Sequence, residues 1–334
     1  MSLLSKIKKN SKIEQTSSLE DSIYLNNQES IACSIPSLNI AMAGEVDCGM
    51  SAGTLQIAGP SKHFKTAMGL QVVASYLRQY EDAVCLFYDS EFGAAMRYFE
   101  AAGVDTERVV HSPIVDIEQL KIDIVNQMAG VQRGDRLIIF IDSIGNLASR
   151  KEVEDAMDSK TTADMTRAKQ MKSLFRIITP HLVLKNVYLV AINHTYKEMS
   201  THPRDIVSGG TGAYYAASDI WIIGRSQEKE GAEIVGYNFT INIEKSRRVK
   251  EKSKIPLEVR FDGGIDKYSG ILDLAIEFGF VVQSGAWYQT VDLETGELAE
   301  KKVRGKEIGP EFFDKLLAYE NFKARVRNKY QLGV

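Results

Sequence analysis

The sequence predicts an α/β fold with a mostly parallel central sheet. Short continuous apolar runs recur along the chain, and helical periods lie between the early runs. Buried parallel strands have this near-continuous apolar character, and their alternation with helices indicates a sheet covered on both faces. The runs that predict strands are TLQIA (54–58), VCLFY (84–88), RVVHS (108–112), LIIFI (137–141), VYLVAI (187–192) and IWIIG (220–224).

The remaining regular elements follow from the same patterns. Helices are predicted at 66–80 and 117–129, where apolar residues recur three and four positions apart. Two later runs, YNFTINI (237–243) and IPLEVRF (255–261), follow each other without a helix and are joined by a charged turn. Consecutive strands of this kind predict an antiparallel extension of the sheet.

The chain divides into three regions by composition. Residues 1–30 are polar with a few spaced apolar positions, so we expect an N-terminal arm whose short helix needs a partner surface. Residues 31–280 carry the alternating pattern and predict the core. Residues 281–334 are more charged and less regular, and they predict a small C-terminal subdomain.

Composition restricts the class of protein. The 334 residues are 44% hydrophobic and 25% charged, which is typical of a soluble globular protein. With 41 Lys and Arg against 44 Asp and Glu, the net charge is −3, so nucleic-acid binding would need local basic patches. The three cysteines show no metal spacing and no even pairing, which favours a reducing compartment. No signal peptide or membrane span is predicted, so we expect a cytoplasmic protein.

The segment GPSKHFKT (59–66) nearly matches the phosphate-binding loop G-x-x-x-x-G-K-[ST]. It follows a predicted strand and begins a predicted helix, which predicts a nucleotide site rather than a chance lysine in a turn. Phe64 stands where the second glycine belongs, at a cost of about 1–3 kcal/mol if its φ is positive. The residues predicted to bind the nucleotide are Gly59, Pro60, Ser61, Lys62, His63, Phe64, Lys65, Thr66 and Ala67.

Acidic residues follow two of the predicted strands. Asp142 ends LIIFID, and an acid at this position beside a phosphate loop commonly holds Mg²⁺ through water, together with the hydroxyl of Thr66. Asp89 and Glu91 leave another strand end, where either could polarise the water that attacks the γ-phosphate. Alternatively one residue here only caps the next helix, a role that suits Asp89 or Ser90.

Eight segments carry a resemblance to a known family. They lie between about residues 30 and 290, in the order GPSKHFKT, CLFYDSEFG, FIDSIGNLAS, DMTRAKQMKSLFRI, AINHT, GGTG, EKSRRVKEKSK and FDGGIDKYSG. Together they resemble the RecA-type recombinases, and most closely the UvsX recombinases of T4-like bacteriophages. Those phage enzymes also resemble this chain in carrying an aromatic residue at the loop glycine. The resemblance therefore implies a RecA-like P-loop ATPase core that binds ATP and Mg²⁺.

The resemblance also implies roles for single residues. Glu91 matches the carboxylate that activates the attacking water, and Tyr98 matches the aromatic residue that stacks on adenine. Tyr268 resembles a second aromatic near the base, although an ordinary half-buried tyrosine explains it nearly as well. His194 stands where RecA has a glutamine that senses the γ-phosphate, and histidine adds protonation near neutral pH. The residues implied to hold the phosphates and the metal are Lys65, Thr66 and Asp142.

Two polar segments, 148–165 and 195–212, are too long to be simple connections. The resemblance implies that they line the filament axis and hold single-stranded DNA. The first is acidic on balance, which disfavours phosphate contacts, and the cations that follow it at helical spacing form a better surface. The alternative is a solvated helix face and a lid. The predicted DNA contacts are Arg167, Lys169, Lys197, Arg204, Gly209, Gly210 and Gly212; Lys172 and Arg176 recur with Arg167 and Lys169 at helical spacing.

The densest basic cluster is KSRRVKEKSK (245–254), with six Lys or Arg and one Glu. By itself it indicates a nucleic-acid patch. The resemblance implies instead that Lys245 and Arg247 cross a subunit interface to the neighbour's triphosphate, as arginine fingers do. The other four cations are expected to be solvated turn residues: Arg248, Lys250, Lys252 and Lys254.

We therefore expect a DNA-dependent ATPase that forms head-to-tail helical filaments on single-stranded DNA and exchanges strands with homologous double-stranded DNA. The resemblance implies recombination-dependent replication and repair in an infected bacterial host, with single-strand-binding and mediator proteins as partners. One alternative is a hexameric RecA-fold helicase, which shares the ATP motifs but not the two axial segments. The other is a non-catalytic ATP-binding mediator, which the intact Glu91 and Asp142 disfavour.

Overall fold

The computed structural model describes residues 1–26, 29–158, 166–199, 201, 203–230, 233–260 and 264–333. Its α-helices are α1 (Leu3–Asn10), α2 (Ile23–Asn26), α3 (Pro36–Ala43), α4 (Lys65–Gln79), α5 (Met96–Ala101), α6 (Ile117–Gly130), α7 (Arg150–Met157), α8 (Thr166–Lys185), α9 (Gly210–Ala216), α10 (Ile271–Glu277), α11 (Pro310–Ala318) and α12 (Glu320–Tyr330). Within the described residues, no helix is both long enough and apolar enough to span a membrane.

The strands are β1 (Ser30–Ile31), β2 (Met50–Ser51), β3 (Gly53–Ala58), β4 (Val84–Asp89), β5 (Val109–Pro113), β6 (Leu137–Asp142), β7 (Tyr188–Asn193), β8 (Thr195–Lys197), β9 (Asp205–Val207), β10 (Asp219–Glu230), β11 (Glu233–Lys245), β12 (Lys254–Arg260), β13 (Gly264–Ile265), β14 (Val281–Ser284) and β15 (Trp287–Thr290). Nine of these described strands form the central sheet, in the order β13-β12-β11-β10-β3-β7-β6-β4-β5.

The sheet is parallel from β10 to β5 and antiparallel from β10 to β13. The predicted α/β class, the predicted strands and the antiparallel extension are therefore confirmed. The predicted helices at 66–80 and 117–129 are α4 and α6, each shifted by at most one residue. β10 and β11 continue beyond their apolar runs as a polar two-stranded ribbon, and apolar runs alone do not reveal such an extension.

Helices cover both faces of the sheet. On β6, Ile138 and Phe140 face the cluster that contains α4, whereas Ile139 and Ile141 face the cluster that contains α6 and α8. Alternate residues of a strand point to opposite faces, so a continuous apolar run is what a strand buried on both faces requires. The sheet is thus held rigidly enough to fix the positions of its strand ends.

The two ends of the chain differ in their packing. In the C-terminal region, Phe322 and Val326 of α12 are fully buried in the same apolar cluster as α3 and α4. At the N-terminus, Leu3, Leu4 and Ile7 of α1 are exposed. The short amphipathic helix predicted there is present, and its apolar side chains lie on the surface.

Candidate active site

The carboxyl ends of four adjacent parallel strands carry the predicted site. Gly59 follows β3, His194 follows β7, Asp142 ends β6 and Asp89 ends β4. In open α/β sheets, ligands bind at this edge, because loops from neighbouring strands converge there. The order of the strands therefore brings together side chains that are far apart in the sequence.

The phosphate loop adopts its turn without its second glycine. Phe64 has φ of 58° and Lys62 has φ of 61°, both in the left-handed region that favours glycine. The condition under which Phe64 was expected to strain the loop is therefore met, at about 1–3 kcal/mol. Gly59 has φ of 157°, and a Cβ there would lie 3.2 Å from the carbonyl oxygen of Ile223, so both its backbone and this close approach favour glycine.

An aromatic contact offsets part of this strain. The ring centroids of Phe64 and Phe239 lie 5.6 Å apart, and Phe64 is 37% exposed. Such a pair contributes about 0.5–1.5 kcal/mol beyond the apolar area that it buries. The aromatic residue at position 64 therefore contributes packing that a glycine would lack.

Lys65, Thr66 and Asp142 lie together behind the loop. Lys65 is 6% exposed, its ammonium donates to the carbonyl of Pro60 at 2.8 Å, and burial lowers its pKa. The hydroxyl of Thr66 donates to Oδ2 of Asp142 at 2.7 Å. Burial raises the pKa of Asp142 to about 6, and its Oδ1 has no hydrogen-bond partner within the described part of the chain. A buried free carboxylate oxygen beside a hydroxyl fits a hydrated Mg²⁺ ion.

Oε1 of Glu91 is the centre of a hydrogen-bond cluster. It accepts from the hydroxyl of Ser143 at 2.6 Å and from the amide of Asn146 at 3.1 Å, and Nε2 of His194 lies 2.9 Å away. The hydrogen bond with His194, followed by that with Ser143, lowers the pKa of Glu91 against the opposing effect of burial. The carboxylate is therefore ionised and oriented at neutral pH.

Gly145 and Asp89 support this cluster. A Cβ on Gly145 would lie 2.4 Å from Cδ2 of His194, so only glycine allows the imidazole its observed position. Asp89 accepts the backbone N–H groups of Glu91 at 3.1 Å and Phe92 at 2.8 Å. Asp89 therefore closes the turn that carries Glu91. The capping alternative is wrong for Asp89, because α5 begins only at Met96, with Ala95 at its N-cap.

A cavity of about 600 Å³ opens over these groups. The phosphate loop from Ser61 to Ala67 lines it together with Glu91, Tyr98, Asp142 and His194. Its opposite wall is formed by residues for which the sequence showed no motif: Arg225, Tyr237 and Phe239. Tyr98 is half-exposed at its rim, with the guanidinium of Arg97 5.5 Å from the ring centroid.

Tyr268 is not among the residues that line the cavity. Its ring stacks on Phe313 at 5.0 Å and its hydroxyl donates to Asp314 at 2.8 Å. Gly264 of the same segment does line the cavity, whereas residues 261–263 fall outside the described residues. Within its own chain Tyr268 therefore packs on α11, and its contact with the base stays a prediction.

Lys245 and Arg247 lie away from the phosphate loop of their own chain. β11 runs antiparallel to β10. The carboxyl end of β11 therefore lies at the end of the sheet where the parallel strand β3 begins, and not where it ends at the phosphate loop. The ammonium of Lys245 donates to the carbonyls of Tyr214, Tyr215 and Ala217 at 2.7–3.0 Å, and burial lowers its pKa. Arg247 lines a second cavity of about 150 Å³ with Gly53 and Asp219.

Two cations expected to be solvated turn residues are instead engaged. The guanidinium of Arg248 donates to the carbonyl of Gly49 at 2.7 Å. The ammonium of Lys250 donates to the carbonyls of Asn328 at 2.7 Å and Lys329 at 3.2 Å. These last carbonyls belong to the final turn of α12, where helical partners are missing. The expectation was wrong for Arg248, which is partly buried, while Lys250, Lys252 and Lys254 are all exposed.

The first predicted DNA segment is partly helical. α7 occupies Arg150–Met157, and Ser149 forms a capping box with Glu152, a helix signal that explains why this polar stretch is not simply a loop. Residues 159–165 lie outside the described residues. Arg167 donates to the carbonyls of Ile144, Gly145 and Leu147 at 2.7–3.2 Å. Its guanidinium therefore supports the loop after β6, while exposed cations remain on α8: Lys169, Lys172 and Arg176.

The second segment forms a hairpin followed by a short helix. Lys197 of β8 pairs with Asp205 of β9 at 2.9 Å, and Arg204 beside it is exposed; residues 200 and 202 are not among those described. Gly209 and Gly210 have φ of 94° and 73° and begin α9. A Cβ on Gly212 would lie 2.6 Å from Cα of Lys172, so close packing of α9 on α8 accounts for this glycine.

Comparison with known proteins agrees with this geometry. The family described as the RecA N-terminal domain matches residues 3–266, and the C-terminal domain of the bacteriophage T4 recombination and repair protein matches residues 268–326. The recombination and repair protein of Enterobacteria phage T4 is 49% identical over 99% of this chain and 86% of its own length.

More distant relatives also match this chain. Protein RecA of Pseudomonas putida is 26% identical over 85% of this chain and 82% of its own length. The mitochondrial DNA repair protein recA homolog 3 of Arabidopsis thaliana is 27% identical over 76% of this chain and 57% of its own length. With family matches that cover most of its length and a near relative in phage T4, the chain belongs to the RecA family of recombination proteins.

Proposed function

We propose that this DNA-dependent ATPase of the RecA family acts in phage recombination and repair by using Glu91 to activate the water that attacks ATP. The observation that supports this most directly is the position of Glu91, whose ionised carboxylate lines the same cavity as Lys65, Thr66 and Asp142. This is the arrangement that hydrolysis of a triphosphate requires: a cradle, a cation and a base.

The chain's own groups divide the work of binding. Backbone N–H groups at the start of α4 would face the phosphates, and Lys65 would supply a buried positive charge. Thr66 and Asp142 supply the oxygens that would hold hydrated Mg²⁺, which when bound neutralises charge on the phosphates. Tyr98, at the cavity rim, is the proposed contact for the adenine ring.

Three side chains orient the proposed base. Ser143 and Asn146 donate to Oε1 of Glu91, and His194 holds the same oxygen from the end of β7. β8 begins at the residue after His194, which places the imidazole next to the second proposed DNA segment. We assign His194 as the group through which DNA binding and hydrolysis influence each other.

Filament assembly would place the second part of the site on a neighbouring copy. Arg247 and Lys245 lie toward the opposite edge of the sheet from the phosphate loop, so any contact with a triphosphate must be with that of another copy. A head-to-tail contact between unlike surfaces propagates into a helix. The exposed Leu3, Leu4 and Ile7 of α1 offer an apolar surface that would pack on the next copy.

Single-stranded DNA would bind on the surface formed by α8 and the segment after β7. Lys169 is exposed on α8, and Arg204 is exposed in the hairpin. Gly209 and Gly210 contribute backbone N–H groups for phosphates, and Lys197 remains a proposed contact despite its ion pair with Asp205. Arg167 and Gly212 would act indirectly, because both are occupied by packing within the chain.

The proposed setting follows from the phage relative. We propose the cytoplasm of the infected bacterium as the place of action, with homologous double-stranded DNA as the second substrate. Single-strand-binding and mediator proteins are the proposed partners. Electron micrographs of the protein on single-stranded DNA with ATP separate this proposal from a helicase: helical filaments support it, and closed six-membered rings contradict it.

A mixing experiment tests the shared site. Lys65→Ala cannot hold ATP, and Arg247→Ala lacks the proposed trans cation, so each variant alone should hydrolyse little ATP on single-stranded DNA. Mixed in equal amounts, they should recover activity, because some junctions combine an intact loop with an intact Arg247. Lys252→Ala, an exposed cation of the same turn, is the matched control and should be active alone. An inactive mixture, or full activity of Arg247→Ala alone, contradicts the shared site.

A further inference from the structure

The phosphate loop contains two residues in a conformation that neither favours. Lys62 and Phe64 both have left-handed φ values, and neither is glycine, asparagine or aspartate. An isolated loop of this sequence would leave such a conformation, because an L residue gains free energy by returning to negative φ. Contacts from outside the loop must therefore hold it.

The contacts come from the ribbon formed by β10 and β11. Arg225 lies directly opposite Phe239 in the antiparallel pair, and Tyr237 lies two residues from Phe239 on the same face of the sheet. These three side chains form one wall of the ATP cavity and face the loop. The sheet register thus places a cation beside two aromatic residues on the side of the cavity that contacts the strained turn.

Each strained residue of the loop has one contact with this wall. Nη1 of Arg225 donates to the carbonyl oxygen of Lys62 at 2.9 Å. The guanidinium carbon of Arg225 lies 4.8 Å from the ring centroid of Tyr237, which restricts the rotation of the arginine. The ring of Phe64 packs on Phe239 at 5.6 Å.

We propose that Arg225 is a positioning residue of the phosphate loop, which it fixes in the nucleotide-binding shape through the carbonyl of Lys62. This rests on the proposed function, in which the loop binds ATP. Arg225 and Phe239 together do for this loop what glycines do elsewhere: they make a left-handed turn stable. The shape of the loop then depends on a strand that lies far away in the sequence.

Binding of a fluorescent ATP analogue with Mg²⁺ and without DNA measures the effect. Arg225→Ala should weaken binding about three- to tenfold, which corresponds to one exposed hydrogen bond from a charged donor. The melting temperature without nucleotide should change little, since Arg225 is exposed and the ribbon keeps its backbone pairing. Arg304→Ala is the matched control, because Arg304 also stacks on an aromatic ring, Trp287 at 4.3 Å, but in the C-terminal region.

A second set of variants separates positioning from a direct charge effect. Arg225→Gln keeps an N–H donor and should retain part of the affinity, whereas a direct contact with phosphate would favour Arg225→Lys. Arg225→Ala is then measured in two backgrounds, Lys62→Ala and Lys62→Gly. Both remove the lysine charge, but only glycine takes the left-handed conformation without strain. Arg225→Ala should therefore cost several-fold less affinity in the Lys62→Gly background.

Equal losses of affinity for the ATP analogue in the two Lys62 backgrounds would overturn the proposal. Equal losses of this affinity from Arg225→Ala and Arg304→Ala would also overturn it. Rescue by Arg225→Lys but not by Arg225→Gln would show direct recognition of phosphate instead, and it would also overturn the positioning role. Failure of the proposed function looks different, since the unsubstituted protein would then not bind the ATP analogue at all.

Discussion

Oε1 of Glu91 and Nε2 of His194 lie 2.9 Å apart, and a single hydrogen bond thereby joins the ends of β4 and β7 across the ATP cavity. One partner is the proposed base, and the other immediately precedes the hairpin proposed to hold DNA. The contact therefore links the proposed base to the segment proposed to bind DNA.

Replacing Glu91 by glutamine should stop turnover and leave binding intact. Glutamine keeps the size of the side chain but cannot accept the proton of the attacking water, so kcat should fall about 10²- to 10⁴-fold. ATP affinity and filament formation on single-stranded DNA should change little. Glu100→Gln, on the exposed face of α5, is the control. Turnover that survives Glu91→Gln would assign the base to another residue.

Adding one methyl group at Gly145 should uncouple DNA from hydrolysis. The new Cβ would lie 2.4 Å from Cδ2 of His194, so the imidazole must leave Glu91. We expect the stimulation of kcat by single-stranded DNA to fall roughly tenfold, the equivalent of about 1.4 kcal/mol. Gly134→Ala is the control, because a Cβ there meets nothing within 4 Å. Unchanged stimulation in Gly145→Ala would exclude His194 as the link.

The stability of the nucleotide-free protein should depend on Asp142 and on pH. Burial raises the pKa of Asp142 from 3.8 to about 6, so the fold prefers the protonated carboxyl. The stability that protonation contributes is present below pH 3.8 and is lost as the pH rises through 6. Asp142→Asn should therefore melt at a higher temperature than the unsubstituted protein at pH 7.5, and the difference should shrink at pH 5. A difference that grows toward pH 5 would have the wrong sign.

Substitutions at Phe64 should separate backbone strain from ring packing. Phe64→Ala keeps the left-handed strain and loses the contact with Phe239, whereas Phe64→Gly loses the contact but relieves the strain. We expect the free energy of unfolding of the alanine variant to be about 0.5–1 kcal/mol lower than that of the glycine variant, because alanine is strained at positive φ. Denaturant unfolding of the two variants measures this. An alanine variant that is the more stable of the two would mean that the loop relaxes out of the strained turn.

Much of the fold could be predicted because its signals are local. Each buried parallel strand is a continuous apolar run, and the chain changes to helical periods between the early strands. The phosphate loop and Asp142 carry motifs of their own. The polar part of the β10–β11 ribbon has no such pattern, which is why its length was not predicted.

The rest of the site depends on which chain segments meet in space. Arg225 contacts Lys62, which lies 163 residues earlier in the sequence, and no spacing in the sequence shows that contact. Positive charge alone also does not say what a cation binds. Arg167 and Lys245 were predicted to contact DNA and a neighbour's triphosphate, yet both donate to backbone carbonyls of their own chain. Unsatisfied carbonyls at loops and helix ends compete for such side chains, and only the tertiary structure reveals them.

Steady-state ATP hydrolysis with and without single-stranded DNA, with ADP and AMP counted separately, tests the central claim most directly. The same assay on Glu91→Gln gives the background. We predict strong stimulation by single-stranded DNA in the unsubstituted protein and none in the variant. Hydrolysis that is indifferent to DNA would contradict a site in which His194 joins the base at Glu91 to the DNA-binding segment.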